Sequence, residues 1–333
     1  MGLSQLKATA ATAADEVPAT GVWFFPDAPA GAVVDTIVAA EAAGIDEVWL
    51  GDEGPARDPF GLLAAAAGAT TTVGLGIAVT NPYLRHPAVT ASSALTVQEL
   101  SGGRMRLGFG AGGDLALGPA GLHRHHPLAD VRRAVRIARA VSRGEATDGY
   151  VPVTHAVAPA PLPLYIGARG EQLNRLASEA ADGVFVGGVP FSLLGRTLGW
   201  ARSTRPVAAA VFVNAVFDTE AAESARAQLV WVLRDSPTGT QRDLGLDPGD
   251  LQRAADQLAA GDDGPARKLI DDDILDDLVL YGTPEVVGRE LARRLRPHRP
   301  DTIGLSVLTA DPKAAVPLVA KVLTAARKAW ILP

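Results

Sequence analysis

From Gly21 onward the chain alternates between two hydrophobic patterns. Short runs rich in Val, Ile, Leu and aromatic residues read as strands. Between them lie Ala-rich segments whose apolar positions recur three and four apart, which read as helices. The predicted strands are Val22–Phe25, Glu47–Leu50, Val73–Val79, Arg104–Phe109, Leu162–Ile166, Gly183–Val186, Val207–Phe217 and Thr302–Leu308. The intervening helices include Phe60–Ala69, Ala88–Leu100, Leu128–Arg143, Glu171–Ala181, Phe191–Arg202 and Pro312–Lys328. Residues 219–280 are too long for an ordinary connection and read as a helical insertion after strand seven. Thr283 and Pro284 then mark a helix start, with Thr as N-cap and Pro in the first turn.

Eight strands, each followed by helix, predict an α/β fold: a (β/α)8 TIM barrel forming one domain over 21–330. Residues 1–20, rich in Ala and Thr, are expected to be a flexible leader. A doubly wound sheet is the alternative, disfavoured because the first strand-to-helix turn lacks a GxGxxG fingerprint.

Composition adds limits to that picture. The 333 residues are 47% hydrophobic and 20% charged, with a net charge of −6. That supplies a large core and no dominant basic face for nucleic acid. There are no cysteines, which excludes disulfides and thiolate metal sites and fits a reducing cytoplasm. No apolar run is long enough to span a bilayer. The expectation is a cytoplasmic protein with a small-molecule partner, and neither nucleic acid nor membrane as one.

In a barrel of this kind the chemistry collects where strands end and helices begin. Those ends read Pro26-Asp27, Asp52-Glu53, Thr80-Asn81, Gly110-Ala111-Gly112-Gly113, Gly167-Ala168-Arg169-Gly170 and Gly187-Gly188. Gly167 to Gly170 lead straight into a helix N-terminus, which with Arg169 suits an anion such as phosphate. Gly187 and Gly188 would let backbone approach the same group. Each glycine has a plainer explanation, a tight turn, and for any single one that explanation is the stronger. The acidic stretch Asp271-Asp272-Asp273 reads as a helix start rather than a calcium loop. His123, His125 and His126 lie close together without a carboxylate at usable spacing, so no metal is expected.

Taken together, several stretches resemble the luciferase-like monooxygenase superfamily. They are Ala39 to Asp52, Val79 to Ala88, Glu99 to Arg104, Leu107 to Gly112, Ala181 to Val184 and Tyr281 to Glu285. The nearer likeness is to its branch of oxidoreductases dependent on the deazaflavin coenzyme F420, which includes methylenetetrahydromethanopterin reductase. The resemblance implies a bacterial-luciferase type of barrel with coenzyme F420 in the mouth, or FMN as the alternative cofactor. It implies a bulge with a non-prolyl cis peptide at Ala78–Val79 propping the ring, and Asp52, Thr80 and Asn81 at its edge. Gly110 and Gly112 would flank it, while Gly167, Ala168, Arg169, Gly170, Gly187 and Gly188 would hold ribityl and phosphate groups.

The family commonly has Asp-His after strand two, where this chain has Asp52-Glu53. Glu53 would need its pKa raised by burial to replace a histidine in proton transfer. The expected catalytic pair is therefore Glu53 with Asp52. The expected activity is hydride transfer between the deazaflavin and a small organic substrate. Rival readings are an FMN-dependent monooxygenase and a non-catalytic flavin- or deazaflavin-binding protein. The second is suggested by Glu53 and by a short segment between Gly144 and Leu162. The resemblance also leaves a homodimer open.

Overall fold

The structure is a computed structural model that describes residues 17–52, 54, 56–151, 161–217, 219–307 and 311–331. Its strands are β1 (Ala19–Phe24), β2 (Glu47–Leu50), β3 (Gly74–Thr80), β4 (Met105–Phe109), β5 (Leu164–Gly167), β6 (Gly183–Gly187), β7 (Ala208–Val216), β8 (Val279–Tyr281) and β9 (Thr302–Val307). All pairings are parallel, running β1 through β7 in sequence, then β7 to β9 and β9 back to β1. That closure makes an eight-stranded barrel with helices outside.

Two features depart from the pattern read in the sequence. β1 begins at Ala19, inside the stretch expected to be leader, because Ala19 donates to Asp301 O at 2.9 Å and Thr20 N to Asp46 Oδ2 at 2.7 Å. Its Ala and Thr residues conceal it. β8 is an extra short strand at the end of the insertion, pairing with Asn214–Val216 of β7 beyond the point where β6 stops at Phe212.

Between β7 and β8, residues 219–278 fold as five helices with an apolar cluster of their own around Leu229, Val230, Leu233, Leu251 and Leu275. Asp271 accepts from Ile274 N at 2.9 Å and so caps the helix Asp272–Leu278, as its acidic start suggested. Thr283 stands at the N-cap of the next helix, but its side chain makes no capping bond.

One device recurs at the lower end of the barrel. The residue just before β2, β6 and β9 is an aspartate, and each accepts a backbone N–H from the neighbouring strand. Asp46 takes Thr20 N, Asp182 takes Leu164 N at 2.9 Å, and Asp301 takes Ala209 N at 2.7 Å. Arg104 ties the same end to the helix Pro59–Ala69, donating to Ala67 O at 3.1 Å, Thr70 O at 2.9 Å and Val73 O at 2.7 Å. These bonds use the carbonyls that a helix end would otherwise leave open.

The barrel interior is packed rather than hollow. Trp49, Tyr165, Phe185 and Phe212 form an aromatic layer, with Phe185 and Phe212 stacked at 4.7 Å between ring centroids. Glycines on other strands make the space: a Cβ at Gly76 would run into Trp49, one at Gly183 into Tyr165, and one at Gly304 into Phe212. The strand-end turns at the barrel mouth lie above this plug.

Candidate active site

The β3 end differs from an ordinary strand end. Register against β4 slips between Ile77 and Thr80, leaving one extra residue on β3. The peptide bond between Ala78 and Val79, inside that bulge, is cis, at the position expected from the resemblance. Trp23 on β1, two strands away, donates its indole N–H to Ala78 O at 2.5 Å and holds the bulge. The Val79 side chain sits against bare glycine backbone, since a Cβ at either Gly110 or Gly167 would collide with it.

Just beyond the bulge come two buried polar side chains, Thr80 and Asn81, at 0% and 1% exposure. Asn81 Oδ1 accepts from Tyr83 N and Leu84 N, both at 3.0 Å, forming the turn that follows the strand. That use of the oxygen fixes which end of the amide remains, and Nδ2 has no partner. Thr80 Oγ1 is unpartnered as well. Native interiors rarely strand such groups, so unpaired donors at a barrel mouth point to a ligand.

Asp52 is next to them and also buried. Burial is the largest influence on its carboxyl and pushes its pKa above the usual range, while the Thr80 hydroxyl nearby and Arg85 pull it down. Thr80 thus lies close enough to act on the carboxylate without making a hydrogen bond of good geometry to it. Arg85 reaches Asp52 Oδ2 at 3.2 Å and Asp58 Oδ1 at 2.9 Å. His86 caps the following helix, Pro87–Leu100, by accepting from Ala88 N at 3.3 Å. Tyr83 donates to Asp130 Oδ2 at 2.7 Å, and its phenol is pushed up to about 12 by burial and by that carboxylate. Glu53, the other expected catalytic residue, lies outside the described residues.

The β5 and β6 ends carry a different message. Gly167 gives room to Val79, a Cβ at Gly170 would come within 3.0 Å of the Pro237 ring, and one at Gly188, at φ +64°, within 2.9 Å of the Val232 side chain. Pro237 and Val232 belong to the insertion, so these glycines let the insertion close onto the barrel. Arg169 was expected beside a phosphate, but its guanidinium donates instead to Val232 O at 2.5 Å and Ser236 Oγ at 3.1 Å. The C-terminal end of the helix Thr219–Arg234 is an electronegative partner for it. What remains for an anion here is backbone, because Gly170 starts the helix Glu171–Ala180 without a side-chain cap.

Around the mouth, Gly110 donates to Thr80 O at 2.7 Å, Gly112 adopts φ +69°, and Gly187 is partly exposed. The structure therefore brings Asp52, Ala78, Val79, Thr80, Asn81, Gly110 and Gly112 together. It keeps Gly167 alongside them and binds Arg169 to the insertion. Reading the chain missed Trp23, which holds the bulge, and Asn214, an inward-facing residue of β7. Asn214 left one signal, as the sole side chain able to donate a hydrogen bond in the otherwise apolar run Val207–Phe217. Among the described residues, no group of three or more His, Asp or Glu is placed to hold a metal, and no helix is long and apolar enough to cross a membrane.

Known proteins share this architecture. The chain is 28% identical over 322 residues to 5,10-methylenetetrahydromethanopterin reductase of Archaeoglobus fulgidus, covering 90% of this chain and 97% of that one. It is 31% identical over 256 residues to an F420-dependent glucose-6-phosphate dehydrogenase of Beutenbergia cavernae, covering 66% and 74%. Among solved structures, the coenzyme F420-dependent tetrahydromethanopterin reductase from Methanopyrus kandleri superposes with a TM-score of 0.79 at 24% identity, covering 93% of this chain and 99% of that one. Residues 7–297 match the luciferase-like monooxygenase family, and with the bulged strand and closed barrel in place the chain belongs to that family.

Proposed function

We propose that this chain is an F420-dependent oxidoreductase that passes a hydride between the deazaflavin and a small organic substrate. The observation that carries the proposal is the pair of unpaired buried groups, Thr80 Oγ1 and Asn81 Nδ2, beside the Val79 bulge. A flat heterocycle with carbonyl and N–H groups on its rim would satisfy both. The relative from Beutenbergia cavernae, F420-dependent by its own description, supports deazaflavin over flavin.

In this reading Val79 backs one face of the ring, Thr80 and Asn81 hold its polar edge, and Gly110 and Gly112 lie alongside. Gly167, Ala168, Gly170, Gly187 and Gly188 offer backbone to the ribityl and phosphate groups, with Arg169 bracing that turn from behind. When bound, the deazaflavin supplies the hydride chemistry; the protein orients it and excludes water. Asp52, whose carboxyl is pushed toward the neutral form by burial, can hold a proton at the ring edge. Glu53 is proposed as the group that exchanges a proton with the substrate in place of the family histidine. The absence of cysteine suits a cytoplasmic setting.

The test is a fluorescence titration of the purified chain with coenzyme F420 and, in parallel, with FMN. Saturable F420 binding tighter than FMN binding supports the proposal. Binding of FMN alone turns the reading to a monooxygenase, and binding of neither removes the cofactor site.

A further inference from the structure

We propose that Asn214 is the substrate anchor of this site, donating its side-chain N–H to the oxygen of a small uncharged carbonyl compound. The inference rests on the F420-dependent reading above and names the substrate class that the same mouth would take.

The first argument is position. Side chains on β7 alternate, and Ala208, Ala210 and Phe212 belong to the cluster inside the barrel. Asn214 continues that parity and stands one step above Phe212, at the mouth. It is in register with Ser306 of β9, which follows the inward Gly304 by the same alternation. In the closed order of eight strands, β7 lies four places from β3 in either direction. Asn214 therefore faces the Val79 bulge across the barrel. A ring resting on Val79 would turn its free face toward Asn214, with a substrate between them.

The second argument is hydrogen bonding. Asn214 is 6% exposed and its Nδ2 has no partner. This is a third unpaired donor, on the wall away from Thr80 and Asn81. A buried amide N–H left open is costly, and a ligand oxygen removes that cost. Sites that offer such a donor discriminate strongly in favour of ligands that accept from it.

The third argument is charge. The arginines on the strand-end turns are each committed to a protein acceptor: Arg57 to Asp27 O, Arg85 to Asp52 and Asp58, Arg124 to Asp114, and Arg169 to Val232 O. From the insertion, Arg234 is paired with Asp235. Lys313, at the start of the last helix, is paired with Asp35. No other lysine occurs in the strand-end turns of the sequence. Among the described residues these cations are each bound to a protein acceptor, whereas a neutral carbonyl needs only the donor that Asn214 supplies.

The experiment uses the full chain labelled with 15N at asparagine side chains and loaded with F420. The Asn214 amide signal is identified by its loss in Asn214→Asp. Acetone and cyclohexanone serve as neutral probes, and pyruvate and dihydroxyacetone phosphate as anionic ones. The expected result is a saturable shift of the Asn214 signal with a neutral ketone and none with the anions. Asn214→Asp should weaken ketone binding, read from cofactor fluorescence, about five- to tenfold while F420 affinity stays within about twofold. Asn214→Ser, which keeps a shorter donor, should fall between, and it serves as the second variant if Asn214→Asp folds poorly by circular dichroism.

The inference is overturned if F420 alone shifts the signal and Asn214→Asp weakens F420, for Asn214 would then be a cofactor contact. It is equally overturned if F420 binds normally and neither ketone moves the signal, or if the anions bind as well as the ketones. Failure of the unmodified chain to bind F420 at all removes the cofactor reading first, and this inference with it.

Discussion

The turns that follow β3 and β5 look equally functional as sequence, one polar and proline-bounded, the other rich in glycine with an arginine. Folded, their side chains play opposite parts. After β3, Thr80 and Asn81 keep unpaired groups facing the mouth. After β5, Gly167 exists to seat Val79, Gly170 to admit Pro237, and Arg169 is spent on the insertion. A glycine turn can thus be required by packing from elsewhere, and an arginine near a helix N-terminus can serve a carbonyl instead of an anion. What separates ligand groups from structural ones is whether their hydrogen bonds are already satisfied.

The sharpest way to break this contrast is Gly167→Ala. Its new Cβ would collide with the Val79 side chain, so urea denaturation should show a loss of about 1–3 kcal/mol. Adding Val79→Ala should recover much of that loss, because the two changes act on one contact. Equal losses in the single and double variants would show that Gly167 answers to something other than Val79.

A second pair of variants compares ligand groups. Asn81→Asp keeps the oxygen that receives Tyr83 N and Leu84 N but removes the Nδ2 donor, so F420 affinity should fall about tenfold with little change in stability. Arg169→Gln should do the reverse, leaving affinity within about twofold while costing about 1 kcal/mol of stability. If Arg169→Gln were the variant that loses the cofactor, the assignment of the β5 turn to structure would be wrong.

The smallest effect is expected at the lower end of β3. Burial pushes the Glu41 carboxyl up, but the backbone N–H groups of Thr72, Val73 and Thr71 outweigh it and bring its pKa to about 2. A lowered acid stabilises the fold while ionised, so its contribution is present above the ordinary value of 4.5 and lost as pH falls toward 2. The carboxylate is solvent-accessible, so Glu41→Gln should cost less than about 1 kcal/mol at pH 7. The difference from the unmodified chain should vanish in denaturation curves near pH 2. A gap that persisted there would mean that Glu41 acts through packing and not charge.

Much of the barrel was legible along the chain. β2 occupies the span its short apolar run predicted, and most helix ends fall within a residue or two of their Gly and Pro signals. The stretches that carried the family resemblance turn out to be largely structural: Arg104 braces a helix end, Asp46 and Asp182 staple strand starts, and His86 caps a helix. Such motifs are readable because each acts through nearby backbone and demands a particular residue type. β8 and the first residues of β1 were not readable, since three residues and an Ala-Thr pair carry too little pattern of their own.

By itself the sequence determined the alternation of strand and helix, the parallel closure it forces, and the small set of turns where chemistry could sit. Those follow from local periodicity and from turn residues whose effect is short in range. Only the tertiary structure decided which of those turns remain open to a ligand. Arg169 meets Val232 across 63 positions of chain, Trp23 meets Ala78 across 55, and Asn214 faces the bulge only because closure sets β7 opposite β3. A donor is free or spent according to neighbours that the chain brings up from far away, and local pattern contains no record of them.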